Sequence, residues 1–277
     1  MRRPLLLGAS GLGGLLLFLL LTLFCIPNRA LQGVVERAAE QQGLTFRVAS
    51  FGKALALGVT AREVVRGGAD GLLLRADRLT VRLRLLPLLA GKVVVSGVAA
   101  IGPGKAEVLF QPRRDDLTVE VAGLRLEDVP FFRSVAGATV RGIGRLSGRI
   151  AGPLATGRGE LKLEVRGAEL AGIKIGGVPL PDAVYPTVQG MLRIAAGKGT
   201  LESFTLQGEG IYARLSGSVP LNVPPAAAPL DLTLELMPKP EFLEKQKFVF
   251  LLLVKYLDTP GHYRIPVRGT LVKPALQ

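Results

Sequence analysis

The sequence predicts a mainly β protein. An N-terminal transmembrane helix is followed by an elongated, coiled antiparallel sheet (groove, half-barrel or sandwich-like) with two short helices at its ends. Three observations carry this expectation. Polar and apolar residues alternate strictly over many short runs, the period of a strand with one face covered. Gly (35) and Pro (19) are frequent enough to end such runs at turns, while Trp is absent and aromatics make up only 5%. One long uncharged segment opens the chain.

That segment comes first in order. After Arg2 and Arg3, no charged residue occurs from Pro4 to Ile26. As a helix it would reach about 34 Å, enough to cross a bilayer core. It is longer than the apolar part of a signal peptide, and no small-residue cleavage site follows promptly. Cys25 could mark a lipoprotein, but Phe24 before it is not the small residue acylation needs. Residues 1–27 are therefore expected to be an uncleaved anchor. Arg2 and Arg3 favour a cytoplasmic amino end and place the rest of the chain outside the inner membrane, in a periplasm. Cys25 is the only cysteine, so no disulfide is expected.

Residues 28–43 (NRALQGVVERAAEQQG) read as a short juxtamembrane helix. Asn28 caps it, Gly43 ends it, and Leu31, Val34, Val35 and Ala38 recur at helical spacing. Residues 44–277 form the expected β-rich domain. Its clearest strands are 116–123 (DLTVEVAG), 160–167, 200–208, 211–219 and 230–237. From Arg78 to Leu85 the alternation puts Arg78, Arg82 and Arg84 on one face and Leu79, Val81, Leu83 and Leu85 on the other. A Pro-rich connection (220–230) precedes the last elements. A helix is expected over 240–257, with Pro240 in its first turn and Pro260-Gly261 beyond its end. It is apolar nearly all round. Its Phe248–Val254 run is too short to span a bilayer, which leaves a plug at one end of the sheet or shallow insertion into a membrane surface.

Charge and chemistry narrow the function. The formal net charge is +13, which attracts nucleic acid, anionic headgroups or acidic proteins. An exported domain rarely meets nucleic acid, and no recognised nucleic-acid motif is present. Arg75, Arg78, Arg82 and Arg84 are the candidate face toward an anionic membrane, though arginines in such a strand also serve simply as its solvated side. Leu79, Val81, Leu83 and Leu85 are the candidate apolar groove face. The bare pattern leaves three ways to satisfy that face: closure on itself, docking on a partner, or holding acyl chains. No catalytic, cofactor or metal site is expected, and the chain reads as no enzyme. His262 is the only histidine and sits in a turn-like TPGHYR segment. GEGIYA (208–213) matches a dinucleotide fingerprint but lacks the following helix, and reads as a hairpin turn. In GVAAIGPGK, Pro103 stands where a phosphate loop needs its lysine. Glu160 and Glu164 carry no mark of an acid–base pair.

The stretch LRADRLTVRLRLLPLLAGKVVVSGVAAIGP (74–103) resembles the signature region of AsmA-like periplasmic proteins. The fuller order is similar to the deltaproteobacterial type of the type II secretion system protein N family, GspN. IPNRAL closes the anchor, GLTFRVASFGKALALGVTAREV precedes the Leu/Arg strand, and YRIPVRGTLVKPALQ ends the chain. The resemblance implies an inner-membrane accessory of the type II secretion system with a structural or protein-interaction role. It also implies, through the wider group, a lipid-binding or lipid-transfer module with an apolar β-groove. The partners implied are inner-membrane phospholipid, other type II secretion components and lipid acyl chains. The family offers no catalytic residues to carry over. This chain is much shorter than the long lipid-bridging members of the wider group.

Overall fold

The computed structural model describes residues 45–277, apart from 55–56, 69–70, 135–136, 154, 176, 224–226 and 271–273. The expected anchor (1–27) and juxtamembrane helix (28–43) lie outside the described residues. Among those described, no helix is long and apolar enough to cross a membrane.

The alternating runs form one large antiparallel sheet. Its strands are β1 (Thr45–Ala54), β2 (Gly58–Gly68), β3 (Gly71–Leu83), β4 (Val95–Ile101), β5 (Gly104–Gln111), β6 (Asp116–Arg125), β7 (Thr139–Ala151) and β8 (Arg158–Ala171). After a small hairpin of β9 (Lys174–Ile175) and β10 (Val178–Pro179) come β11 (Ala183–Ala195), β12 (Lys198–Gln207), β13 (Ile211–Pro220), β14 (Asp231–Pro238), β15 (Leu257–Thr259), β16 (His262–Gly269) and β17 (Pro274–Leu276). Up to β14, each large-sheet strand pairs with the next in sequence, skipping only the β9–β10 hairpin, and β16 then follows β14. β15 and β17 both pair with β16, and β1 closes the other end of the order.

Turn chemistry sets this order. Gly102 links β4 to β5 with φ +54°, and Ala196-Gly197 links β11 to β12 with both residues at positive φ. The GEGIYA segment is the β12–β13 hairpin, closed by the Gly208 amide donating to the Ile211 carbonyl at 3.0 Å. Gly148 is required where β7 meets β8. A Cβ there would collide with the Glu160 carbonyl oxygen and the Leu161 side chain.

Among the described residues, four short α-helices punctuate the sheet: α1 (Leu85–Leu89), α2 (Pro130–Ser134), α3 (Pro240–Lys245) and α4 (Lys247–Leu252). α1 corrects the placement of Leu85. That residue opens a helical turn instead of continuing β3, and so leaves the face of Leu79, Val81 and Leu83. The LLPLL segment turns there because Pro87 cannot donate to a ladder and suits a first helical turn; the Leu88 amide reaches back to the Arg84 carbonyl at 3.2 Å. The helix expected over 240–257 is broken. Gln246 departs to φ −117°, ψ 30°, a 3₁₀ turn follows at Val254–Tyr256, and Leu257 already belongs to β15. The break lets the all-round apolar segment face two ways. Phe250, Leu253 and Tyr256 enter the main core with Tyr185, Leu234, Leu236, Tyr263 and Ile265. The Phe250 and Tyr263 rings lie 5.1 Å apart. A smaller core at the β1 end gathers Ala61, Val64, Ala76 and Ile101.

Candidate functional site

The register aligns apolar side chains into three parallel rows across the sheet. One starts at Leu79 and runs through Ala99, Ala106, Val121, Leu146, Leu163, Gly190, Phe204, Leu215 and Leu234 to Ile265. The next starts at Val81 and runs through Gly97, Val108, Val119, Gly148, Leu161, Leu192, Leu201, Gly217 and Leu232 to Val267. The third starts at Leu83 and runs through Val95, Phe110, Leu117, Ile150, Gly159, Ile194 and Gly199 to Val219. The three groove residues read from β3 thus head one row each. No polar side chain interrupts any row.

Burial along these rows is uneven. Ile265 is 0% exposed beneath α4, and Val267 is buried beside it. In the middle row every residue from Val81 to Leu232 is only half-buried. The side chains shield one another laterally, and short helical segments reach the sheet: the 3₁₀ turn Leu126–Asp128 and α2 both touch β7. α2 also packs on β3, and α3–α4 cover the β14–β16 end.

The opposite face is polar. Arg82, Ser96, Leu109, Thr118, Arg149, Glu160, Arg193, Thr200, Ser218 and Asp231 form one cross-strand row. Ion pairs lace it: Arg149–Asp116 at 2.8 Å, Arg193–Glu202 at 2.7 Å, Lys162–Glu160 at 3.0 Å and Arg166–Glu164 at 2.8 Å. Glu160 and Glu164 are therefore held by neighbouring cations on the solvated face. Asp116 is buried and accepts a hydrogen bond from Arg149 of β7. Such pairs contribute at most about 1 kcal/mol each when exposed.

The candidate cationic face gathers by an irregularity. Strict alternation would put Arg75 opposite Arg78 and Arg82. Instead, Ala61 and Val64 are both buried with exposed Arg62 and Glu63 between them, and Glu63 adopts φ +49°. Across from them, Asp77 and Arg78 are likewise both exposed, between buried Ala76 and half-buried Leu79. This paired outward step turns Arg75, Arg78 and Arg82 to the same exposed side. Arg84 is exposed just past the strand end. Arg78 directly faces Arg62, a like-charge cross-strand pair, beside a Thr60–Thr80 hydroxyl contact of 3.2 Å. These four residues line an open cleft of about 400 Å³ with Ser50, Gly52 and Lys53. Arg82, Arg84, Lys105 and Glu107 line another of about 840 Å³. The Lys105 ammonium, bonded to Glu107, holds that exposed carboxyl below its ordinary range.

His262 differs from the turn residue expected. It opens β16, is half-buried, and places Nδ1 3.4 Å from Asp258 while its Nε2 is enclosed without a hydrogen-bond partner. The Tyr256 hydroxyl is enclosed in the same unpaired way. Among the described residues, no three His, Cys, Asp or Glu side chains converge as metal ligands.

Sequence reading missed two features. Arg62 opposite Arg78 emerges only from the β2–β3 register. The exposed leucines of α1, Leu86 (82%) and Leu89 (53%), were hidden inside an apparent strand end. The chain matches no family model, no curated protein and no solved structure, so the GspN and AsmA-like resemblance rests on the quoted residues alone.

Proposed function

We propose that this chain is a lipid-binding module whose sheet coils into an elongated groove and holds acyl chains along its three apolar rows. Residues 1–27 would tether it to the bacterial inner membrane, with the rest in the periplasm. One observation carries the reading: the middle row stays half-buried across ten successive strands, from Val81 to Leu232. An uninterrupted apolar face that its own protein does not seal is a surface built for an apolar occupant.

The test is copurifying lipid. Full-length protein extracted in mild detergent should carry phospholipid detectable by mass spectrometry. Val108→Asp with Leu161→Asp should reduce it several-fold, and Arg193→Ala on the polar face should leave it unchanged. Equal lipid in all three proteins overturns the proposal.

A role within the type II secretion apparatus is the second reading, supported by the resemblance over 74–103. The LLPLL segment of that stretch forms α1, whose outward Leu86 and Leu89 make an apolar knob suited to a protein partner. Deleting the chain should then stop export of type II substrates. Unchanged export with altered outer-membrane permeability would exclude that role.

A further inference from the structure

We propose that the segment Lys247–Leu257 is a membrane finger that buries its outer face in an anionic phospholipid leaflet. This does not depend on what the groove holds. Within ten residues, Phe248 is 86% exposed, Leu251 59%, Leu252 58%, Val254 57% and Leu257 44%. No comparable density of uncovered large apolar side chains occurs elsewhere among the described residues.

The exposure is built in. Phe250 (2%), Leu253 (0%) and Tyr256 (7%) lock the inner face of the same segment into the main core. The outer residues cannot turn inward without pulling these three out. A segment apolar on both faces, with one face already satisfied by protein, needs an apolar medium for the other.

Charge selects that medium. From 245 to 257 the chain carries Lys245, Lys247 and Lys255 and no carboxylate. The Lys255 ammonium sits 4.6 Å from the Tyr256 ring centroid, at the margin of the apolar face. Glu241 and Glu244 precede this stretch, and Asp258 follows it facing His262. Lysines around an apolar tip match the headgroup layer of an anionic bilayer. α4 has six residues, so it can enter one leaflet but cannot cross.

The experiment uses full-length protein in which Cys25→Ser removes the only native cysteine. Leu251→Cys then carries an environment-sensitive fluorophore, and Thr118→Cys on the polar face serves as control. Each protein is reconstituted into vesicles of phosphatidylcholine alone or with phosphatidylglycerol, both containing a nitroxide-labelled lipid. At position 251 we expect a blue shift and at least a two-fold greater quenching in the anionic vesicles. Salt at 0.5 M, or Lys245→Glu, Lys247→Glu and Lys255→Glu together, should abolish that difference, and position 118 should remain unquenched. Thermal melts of the variants establish that they are folded. Equal emission at position 251 in both vesicles overturns the proposal. So does energy transfer between labelled copies without lipid quenching, which would assign the face to a second copy of the chain.

Discussion

Tyr185 shows how much a single buried group records of the fold. Its phenol lies in the main core at 3% exposure, and desolvation pushes its pKa up to about 12. The folded state therefore keeps this proton where an unfolded tyrosine, titrating near 10, has lost it. The stabilisation is complete below pH 10 and declines as pH rises toward 12, with a slope of at most about 1.4 kcal/mol per pH unit. Replacing Tyr185 with Phe should remove that slope from urea-denaturation curves taken between pH 10 and 12; unchanged slopes would refute the assignment. Single residues were legible in the sequence where periodicity alone decides their side, as for Leu79, Val81 and Leu83. Arg75 was not, because its side depends on the outward step at Glu63 and Asp77. Leu85 was not, because a proline two residues later ends the strand before it.

Strands were the most legible elements. The five runs read most clearly, 116–123, 160–167, 200–208, 211–219 and 230–237, all appear, as β6, β8, β12, β13 and β14. β11 was harder to find because Pro186 interrupts its pattern. The structure accommodates that proline beyond the end of β12: pairing with β12 begins at Thr187, so the missing amide costs no bond on that side. The helix over 240–257 was legible in place but not in form, since an all-round apolar sequence does not say where it will break. Cross-strand partners were not legible at all, and the Arg62–Arg78 pair follows from them. Two guanidinium groups facing each other repel, so Arg78→Glu should stabilise the β2–β3 ladder by about 0.5–1 kcal/mol. The measurement is the urea midpoint at low salt, with the gain shrinking as salt is added. A loss of stability would show that another group already neutralises the pair.

At the scale of the whole molecule, the two cores are unequal. The larger one holds sixteen buried residues, including Tyr256, Tyr263 and Phe250. The smaller one holds Ala61, Val64, Ala76 and Ile101, three of which are no larger than valine. Apolar burial is the main source of local stability, so opening should begin at the β1 end. Native-state hydrogen exchange should find the amides of β2–β4 exchanging well before those of β13, β14 and β16, and uniform protection would contradict this. The sheet's strand order also bears on how such a protein can change over evolutionary time. Because nearly every strand bonds only to its neighbours in the chain, a hairpin could be inserted or lost without re-routing the rest, and strand direction and the greasy–polar alternation would both carry through the splice. Each such step would alter the reach of the ribbon by about 10 Å, so length in this architecture is a free parameter that gene duplication can adjust one hairpin at a time.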